Sequence, residues 1–200
     1  MQLYYKPGAC SLATHIVLRE LGRTFTLHAV DTQAQRTDSG QDFRLINPKG
    51  YVPALDTGTA ILTEGAAILQ YLAEGSPLLP AVGSLARARV QELLNFTASE
   101  LHKAFTPFFK NASTEAEREQ AQQQLMRHFA YLESLLADGR DYLLGDTFSV
   151  ADAYLFVVCN WASFIRLSLH DWPALQGFVA RIGARPSVQA ALQAEGLGAA

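Results

Sequence analysis

The feature that most constrains the fold of this chain is a change in hydrophobic periodicity near residue 76. Before that point, short segments with the period-two alternation of strands are interleaved with helical segments, whereas beyond it apolar residues recur almost only at helical spacing. Gly75-Ser76-Pro77 interrupts both patterns and is typical of a linker. We therefore expect an α/β domain, a linker and an all-helical domain, with the limits 1–76, 77–85 and 86–200.

The α/β part has the order strand, helix, strand, short helix, strand, strand, helix. Its first three segments form a βαβ unit, which implies a parallel strand pair joined by a right-handed crossover. Asp56-Thr57-Gly58 predicts a hairpin turn between the last two strands, so the predicted sheet is mixed and four-stranded. The predicted segments are Gln2–Tyr5, Ser11–Leu21, Phe25–Val30, Gly40–Ile46, Val52–Leu55, Ala60–Leu62 and Glu64–Ala73.

The C-terminal part is predicted to be helical throughout, with one helix that is apolar on nearly all sides, as a buried central helix is. This helix begins at Ser149, and Asp152 three residues later makes a capping-box variant. The acid also complements the positive end of the helix dipole. The predicted helices are Ala86–Phe109, Glu115–Leu136, Ser149–Leu167, Trp172–Ala184 and Ser187–Ala194.

Composition and charge argue against several classes of protein. The 200 residues carry a formal net charge of −3 without a basic block, so no nucleic-acid partner is expected. Apolar runs such as Val150–Cys159 are too short to span a bilayer, so no membrane association is expected. The five His residues are scattered without ligand-like spacing, and no metal is expected. Two distant cysteines do not make a disulfide framework, so we expect a reducing, cytoplasmic setting.

Cys10 is the first candidate for chemistry. It follows Pro7-Gly8-Ala9 and precedes a predicted helix, where unpaired N–H groups and the helix dipole favour an anion such as a thiolate. Cysteine is also common as a small buried apolar residue, and position alone supports the two interpretations equally. Because position 13 is Ala, the segment is not a Cys-x-x-Cys pair. Cys159 lies inside an apolar helix and is interpreted as a core residue.

Two further motifs follow Cys10. Val52-Pro53 opens a predicted strand, which fits an edge strand or a cis peptide bond that leaves backbone groups open to an extended peptide-like ligand; the alternative is a simple strand start. Thr63-Glu64-Gly65 opens a helix, where N–H groups bind a carboxylate while Glu64 accepts from an ammonium group. Taken alone, Glu64 is better explained as a helix cap.

The order of these motifs resembles that in the N-terminal domain of glutathione transferases. The amino-acid sequences of the motifs resemble those of the bacterial beta class of that family. The resemblance covers nearly the whole chain and implies a thioredoxin-like α/β domain followed by an all-α domain. The stretches that carry it are Tyr4–Leu12, Asn47–Leu55 and Leu62–Ile68 in the first part, and Asn95–Phe96, Ser99–Lys103 and Phe148–Asp152 in the second.

The resemblance implies a transferase that conjugates reduced glutathione, as co-substrate, to small electrophilic or hydrophobic molecules, and a chain that forms a homodimer. Cys10 is implied to lie beside the glutathione sulfur and His102 to bond near the thiol, and these two form the expected catalytic set. The implied glutathione-binding residues are Cys10, Gln35, Val52, Pro53, Glu64, Gly65, Asn95, Ser99 and Lys103. The expected second-substrate pocket consists of Phe105, Phe109 and Trp161.

Position 35 departs from the family pattern, because many relatives carry a Lys there that meets the glycine carboxylate of glutathione. This chain has Gln35, with Arg36 or Lys103 as the candidate substitutes. Two alternatives to conjugation stay open: a glutathione-dependent oxidoreductase that works through a Cys10 mixed disulfide, and a non-catalytic binding or regulatory protein. Retention of Cys10, Val52-Pro53 and Glu64 argues against the latter.

Overall fold

The computed structural model describes residues 1–110 and 112–198. The chain separates into two compact units. Unit 1 consists of Met1–Leu79 together with the segment that starts at Ala184, and unit 2 consists of Pro80–Gly183. Within the described residues, no helix has the length and apolarity needed to cross a membrane.

Unit 1 is built on a mixed sheet with the strand order β3-β2-β1-β4-β5. β1 and β2 are parallel, as the βαβ prediction requires, and the remaining neighbours are antiparallel. The hairpin predicted at Asp56-Thr57-Gly58 joins β4 to β5, so that part of the prediction is confirmed. The strands are β1 (Gln2–Tyr5), β2 (Thr26–Asp31), β3 (Arg36–Thr37), β4 (Ala54–Asp56) and β5 (Ile61–Thr63).

The sheet has five strands, and the predicted number of four was wrong. The extra strand is β3, which pairs with β2 through Val30 and Thr37. The reversal between them is made by Asp31, whose carboxylate accepts the backbone N–H groups of Gln33 and Ala34 at 2.8 and 2.9 Å. This side-chain turn brings the chain back after too few residues for a period-two pattern to be visible.

Within Met1–Leu79, three helical segments accompany the sheet: α1 (Ser11–Glu20), a 3₁₀ turn (Phe43–Leu45) and α2 (Gly65–Ala73). Helix α1 buries Leu12 and Ile16, and α2 buries Ile68 and Leu69. A separate apolar cluster consists of Tyr4, Val30, Phe43, Val52 and Ala54, so the segment that carries Val52 is anchored in the core.

The regular elements of unit 2 are helices, and its described residues contain no strand of the sheet. Its most buried helix begins at Val150 and packs against two other helices of the unit, which confirms the prediction of a central apolar helix. The helices are α3 (Leu85–Phe96), α4 (His102–Ala104), α5 (Thr106–Phe109), α6 (Glu115–Leu136), α7 (Val150–Phe164) and α8 (Pro173–Gly183).

The long helix predicted over Ala86–Phe109 is interrupted, and its continuity was predicted wrongly. A π-helical turn over Thr97–Leu101 separates α3 from α4, and a further turn separates α4 from α5. The first break accommodates one extra residue in the helical ladder. The second lies at Phe105, two residues before Pro107, which has no N–H to continue the hydrogen bonding.

The last helix, α9 (Pro186–Ala194), packs against α1 and belongs to unit 1. Its Val188 and Ala191 are fully buried, and Glu20 of α1 accepts hydrogen bonds from Arg185 and Ser187. The contacts therefore group this helix differently from the predicted limits, which placed 86–200 in one domain. The end of that predicted range, residues 199–200, lies outside the described residues.

Candidate functional site

Cys10 lies at the N-cap of α1, where a tight turn places it. The turn is closed by the Ala9 N–H, which donates to the Lys6 carbonyl at 3.0 Å, and by Ser11, whose hydroxyl accepts the Lys6 N–H at 3.2 Å. The Cys10 thiol is half-buried and donates to the Val52 carbonyl oxygen at 3.4 Å. The fold therefore brings together two predicted site residues that are far apart in sequence.

The Val52-Pro53 peptide bond is cis, one of the two possibilities that the sequence left open. Asn47 fixes the loop before it, since its amide donates to the Tyr51 carbonyl at 2.7 Å and its carbonyl accepts the Lys49 N–H at 3.2 Å. Across residues 1–110 and 112–198, no group accepts a hydrogen bond from the Val52 N–H. An open backbone donor thus lies beside the thiol.

Glu64 stands at the N-cap of α2 but does not cap it, because its side chain makes no hydrogen bond to the helix backbone. Its backbone has φ 68° and ψ 106°, a conformation that an L-residue adopts rarely and that occurs most often at functional sites. Its carboxylate instead contacts Lys49 and accepts from the Tyr51 hydroxyl at 3.4 Å. In the described part of the chain, the Gly65 and Ala66 N–H groups donate to no acceptor. This helix end offers donors for an anion and a carboxylate for a cation.

The side chain of Gln35 is held by hydrogen bonds to the backbone. Its amide donates to the carbonyl oxygens of Thr32 at 2.6 Å and Gly50 at 2.8 Å. Its side-chain carbonyl oxygen is buried and lies 2.8 Å from where a Cβ at Gly50 would stand, so a side chain at Gly50, whose φ is +73°, would be strained and would displace the Gln35 amide. Arg36, the candidate substitute, donates to the Gly40 carbonyl at 3.2 Å. A ligand contact at position 35 stays a prediction, and the amide protons of Gln35 are already engaged.

His102 lies in unit 2 and faces aromatic neighbours. Its Nδ1 is 3.1 Å from the Tyr154 hydroxyl, and its ring packs edge-on against Trp161 with centroids 4.7 Å apart. Burial, with a smaller contribution from the adjacent Lys103 ammonium, lowers the pKa of His102 to about 4. The imidazole is therefore neutral near pH 7.

The aromatic residues predicted as a pocket do form one cluster. Trp161 lies 5.6 Å from Phe105 and 5.5 Å from Phe109, measured between ring centroids. Phe105 is fully buried, whereas Phe109 is 53% exposed. Phe105 therefore acts as core, and Phe109 supplies the accessible aromatic surface.

Asn95, Ser99 and Lys103 recur at every fourth residue and are all exposed. They extend across the π-helical turn, and the Ser99 hydroxyl donates to the Asn95 carbonyl at 2.9 Å. Short π-helical turns are frequent at functional sites. Their role in binding stays a prediction.

Sequence reasoning missed Lys49 and Tyr154. Lys49 sits in the Asn47–Leu55 stretch, which carries the family resemblance but gave Lys49 no role of its own, and Tyr154 lies in a helix that was interpreted as buried. The signal that could have singled out Lys49 is its place between two conformationally special residues, a Pro and a Gly. Among the described residues, no group of three or more His, Cys, Asp or Glu could hold a metal ion.

Comparison with known proteins gives a consistent result. Residues 8–74 match the family described as Glutathione S-transferase, N-terminal domain, and residues 96–186 match Glutathione S-transferase, C-terminal domain. Glutathione S-transferase GstA from Escherichia coli O157:H7 is 47% identical over 202 residues, which cover 98% of this chain and 100% of that protein. 

Solved structures agree with this similarity. A sphingomonad glutathione S-transferase in complex with glutathione is 44% identical, with a TM-score of 0.94, and the match covers 99% of this chain and 100% of the other. A bacterial beta class glutathione S-transferase from Sphingomonas chungbukensis is 42% identical, with a TM-score of 0.94, and the match covers 98% and 100%.

Proposed function

The chain belongs to the glutathione S-transferase family and is similar to its bacterial beta class, and we propose that it conjugates reduced glutathione to small electrophiles. The observation that carries this proposal is the 3.4 Å contact between the Cys10 thiol and the Val52 carbonyl. It puts a thiol at a helix N-terminus directly against an open peptide edge. The known ligand of a sphingomonad relative, glutathione, is a peptide with a thiol in its middle.

Groups of unit 1 suit two parts of this ligand, its cysteinyl backbone and its γ-glutamyl end. The Val52 N–H is available to pair with the cysteinyl backbone of the tripeptide, as in strand addition. The Gly65 and Ala66 N–H groups suit the α-carboxylate of the γ-glutamyl end, and Glu64 suits its ammonium. Val52 and the start of α2 lie at the two ends of the segment that contains β4 and β5, so together they would orient an extended molecule.

Activation of the glutathione sulfur rests on the first turn of α1. The positive end of the helix dipole favours a thiolate there, and the Cys10 thiol is a donor that can turn from the Val52 carbonyl to a bound sulfur anion. The thiolate then attacks an electrophilic carbon, a carbon–sulfur bond forms, and the leaving group departs with its electron pair. Cys10 is neither consumed nor bonded in this sequence.

For the second substrate we assign the aromatic cluster of unit 2. Phe109 offers accessible apolar surface, and the neutral His102 held against Trp161 offers a polar group without a charge. Such a mixture suits small apolar electrophiles. The three exposed residues Asn95, Ser99 and Lys103 are assigned to glutathione.

A homodimer and a reducing cytoplasm complete the proposal. Exposed apolar side chains on α3 and α6, among them Leu85 and Tyr131, support an association surface on unit 2. Two cysteines that are far apart in the sequence, Cys10 and Cys159, do not make a disulfide framework, which supports a reducing setting. Sedimentation equilibrium that returns only the monomer mass at micromolar protein would remove the dimer.

The function is tested by retention on glutathione-agarose together with turnover of 1-chloro-2,4-dinitrobenzene. We expect elution by free glutathione and release of one chloride per conjugate formed. A protein that neither binds the resin nor releases chloride contradicts the proposal. Micromolar binding without turnover would instead favour a binding or regulatory protein.

A second activity is favoured by the half-buried, accessible state of Cys10. Its thiolate can attack the glutathione sulfur of a mixed disulfide between glutathione and a small thiol, so that a Cys10–glutathione disulfide forms and the small thiol leaves as a thiolate that takes up the proton lost by Cys10. The thiolate of reduced glutathione, the co-substrate, then attacks the glutathione sulfur of this disulfide, so that Cys10 leaves as a thiolate and oxidised glutathione is released. The variant Cys10→Ala separates the two activities. Loss of disulfide reduction with retained conjugation shows that both exist, whereas loss of both gives Cys10 a larger part in conjugation.

A further inference from the structure

Lys49 forms an exposed ion pair with Glu64. Its ammonium contacts the Glu64 carboxylate and donates to the Thr63 hydroxyl at 2.9 Å. The Lys49 and Glu64 side chains are 43% and 58% exposed. A pair this accessible contributes little to folding stability because water competes for both charges. Its position is therefore not explained by stability.

The pair lies at the N-terminal end of α2, where backbone donors are open. Glu64 holds its carboxylate away from the helix, and the Gly65 and Ala66 N–H groups donate to no acceptor in the described residues. One small region thus presents an anion, a cation and two backbone donors. This is the charge complement of an α-amino acid, which carries an ammonium and a carboxylate on the same carbon.

We propose that Lys49 recognises the α-carboxylate of the γ-glutamyl group by exchanging partners when glutathione binds. In the free protein, Lys49 is paired with Glu64. In the complex, Glu64 pairs with the ligand ammonium, and Lys49 pairs with the ligand carboxylate beside the two backbone donors. The proposal rests on the function proposed above and extends it to a residue outside the predicted set.

The exchange is electrostatically balanced at each stage. The ion pair and the amino-acid end of the ligand both have zero net charge, so no charge is left without a partner when they recombine. Lysine suits this role because its ammonium is a point charge on a flexible stem and can move between two carboxylates. The hydrogen bond to Glu64 raises the pKa of Lys49, so the side chain is cationic throughout the neutral range.

The test compares three tripeptides by titration calorimetry: glutathione, glutaryl-Cys-Gly, which lacks the ammonium, and 4-aminobutyryl-Cys-Gly, which lacks the α-carboxylate. The variants are Lys49→Met, Lys49→Gln and Lys49→Arg. The control is Lys110→Met, which removes the same charge at an exposed position in unit 2. Thermal melts establish that each variant is folded, and Lys49→Gln serves if Lys49→Met is not.

We expect Lys49→Met to weaken glutathione and glutaryl-Cys-Gly each by roughly fivefold to tenfold, the size of one partly exposed charge contact. Binding of 4-aminobutyryl-Cys-Gly should not weaken. Lys49→Arg should retain most of the affinity, and Lys110→Met should bind all three as the wild type does.

Two results overturn the inference while the proposed function stands. Equal weakening of all three tripeptides would mean that Lys49 acts on the loop in general. Tighter binding of 4-aminobutyryl-Cys-Gly with unchanged glutathione affinity would mean that Lys49 only competes with the ligand ammonium for Glu64. If the wild type binds none of the three, the proposed function fails and the inference fails with it.

Discussion

The N-termini of α2 and α7 differ in how the acidic residue beside each of them is hydrogen-bonded. At α7, Asp152 folds back so that its carboxylate accepts the Ser149 N–H at 2.8 Å, the Ser149 hydroxyl at 2.6 Å and the Leu143 N–H at 2.7 Å. At α2, Glu64 turns its carboxylate away from the helix and leaves the backbone donors of Gly65 and Ala66 open.

The difference shows that burial and hydrogen bonding of the acidic side chain distinguish a structural helix N-terminus from one that is available for binding. Each helix start has an acidic residue close by, and each residue could complement the dipole. At α7 the acid is fully buried, and its carboxylate oxygens accept hydrogen bonds from the protein itself, so this helix N-terminus is closed to ligands. At α2 the acid is exposed and its backbone is in a rare conformation, so the end is available.

The largest expected effect is on the closed end. Asp152→Ala leaves three buried donors without their acceptor, and we expect the free energy of unfolding to fall by about 3 kcal/mol in urea titrations. Glutathione affinity per folded molecule should not change. The matched control is Glu117→Ala, which breaks the exposed capping box of α6 and should cost clearly less. Equal losses at the two boxes would contradict the contrast in burial.

The next effect is on the open end. Glu64→Gln removes a charge from a proposed ligand contact, and we expect glutathione to bind roughly thirtyfold more weakly in calorimetry, about 2 kcal/mol. The free energy of unfolding should stay within about 0.5 kcal/mol. Glu74→Gln, the same change at the far end of α2, is the control and should bind normally. Destabilisation by Glu64→Gln with normal binding would make the end of α2 structural.

The next prediction concerns the pH dependence of the free energy of unfolding, which we attribute to His102 in unit 2. The pKa of His102 is lowered to about 4 in the folded protein, so as pH falls the unfolded chain takes up this proton first. The stability from neutral His102 is complete above about pH 6.5 and is lost between about pH 6.5 and 4. We expect a loss of roughly 1.5 kcal/mol, since partial exposure reduces the full value.

Urea titrations at pH 7.5 and 4.5 measure this loss, and His102→Gln should show a smaller one. Burial also lowers the pKa of His128, which acts in the same direction, so His128→Gln is the matched control. An unchanged pH dependence in His102→Gln would contradict the assignment.

The smallest effect compares the two N-cap residues directly. Ser149→Ala should cost about 1 kcal/mol of unfolding free energy, as is usual for an N-cap. Glu64→Ala, the same truncation at α2, should leave the unfolding free energy within about 0.5 kcal/mol, because the side chain caps nothing. A full capping loss at Glu64 would remove the distinction between the two ends.

Sequence reasoning could predict what depends on short-range pattern. The parallel pair of β1 and β2 followed from apolar alternation on either side of a helix, and the Ser149–Asp152 box followed from residue type at fixed spacing. The two-residue strand β3 could not be found, because its pairing is set by the Asp31 turn.

Long-range choices of partner also lay beyond the sequence. Whether Glu64 caps α2 depends on its backbone angles and on Lys49, which is fifteen residues away in the chain. The attachment of α9 to α1 depends on ion pairing and burial across more than 160 residues. The roles of Lys49 and Gln35 are visible only from the groups that they contact in the folded chain.

The most direct measurement is a glutathione titration of ¹⁵N-labelled protein followed by backbone amide shifts. The amides of Val52, Gly65 and Ala66 should move in proportion to occupancy, while those of Ala151 and Asp152 at the closed end of α7 should not. Tight binding of glutathione that leaves the amides of 52, 65 and 66 unmoved would contradict the account, because the tripeptide would then be held elsewhere.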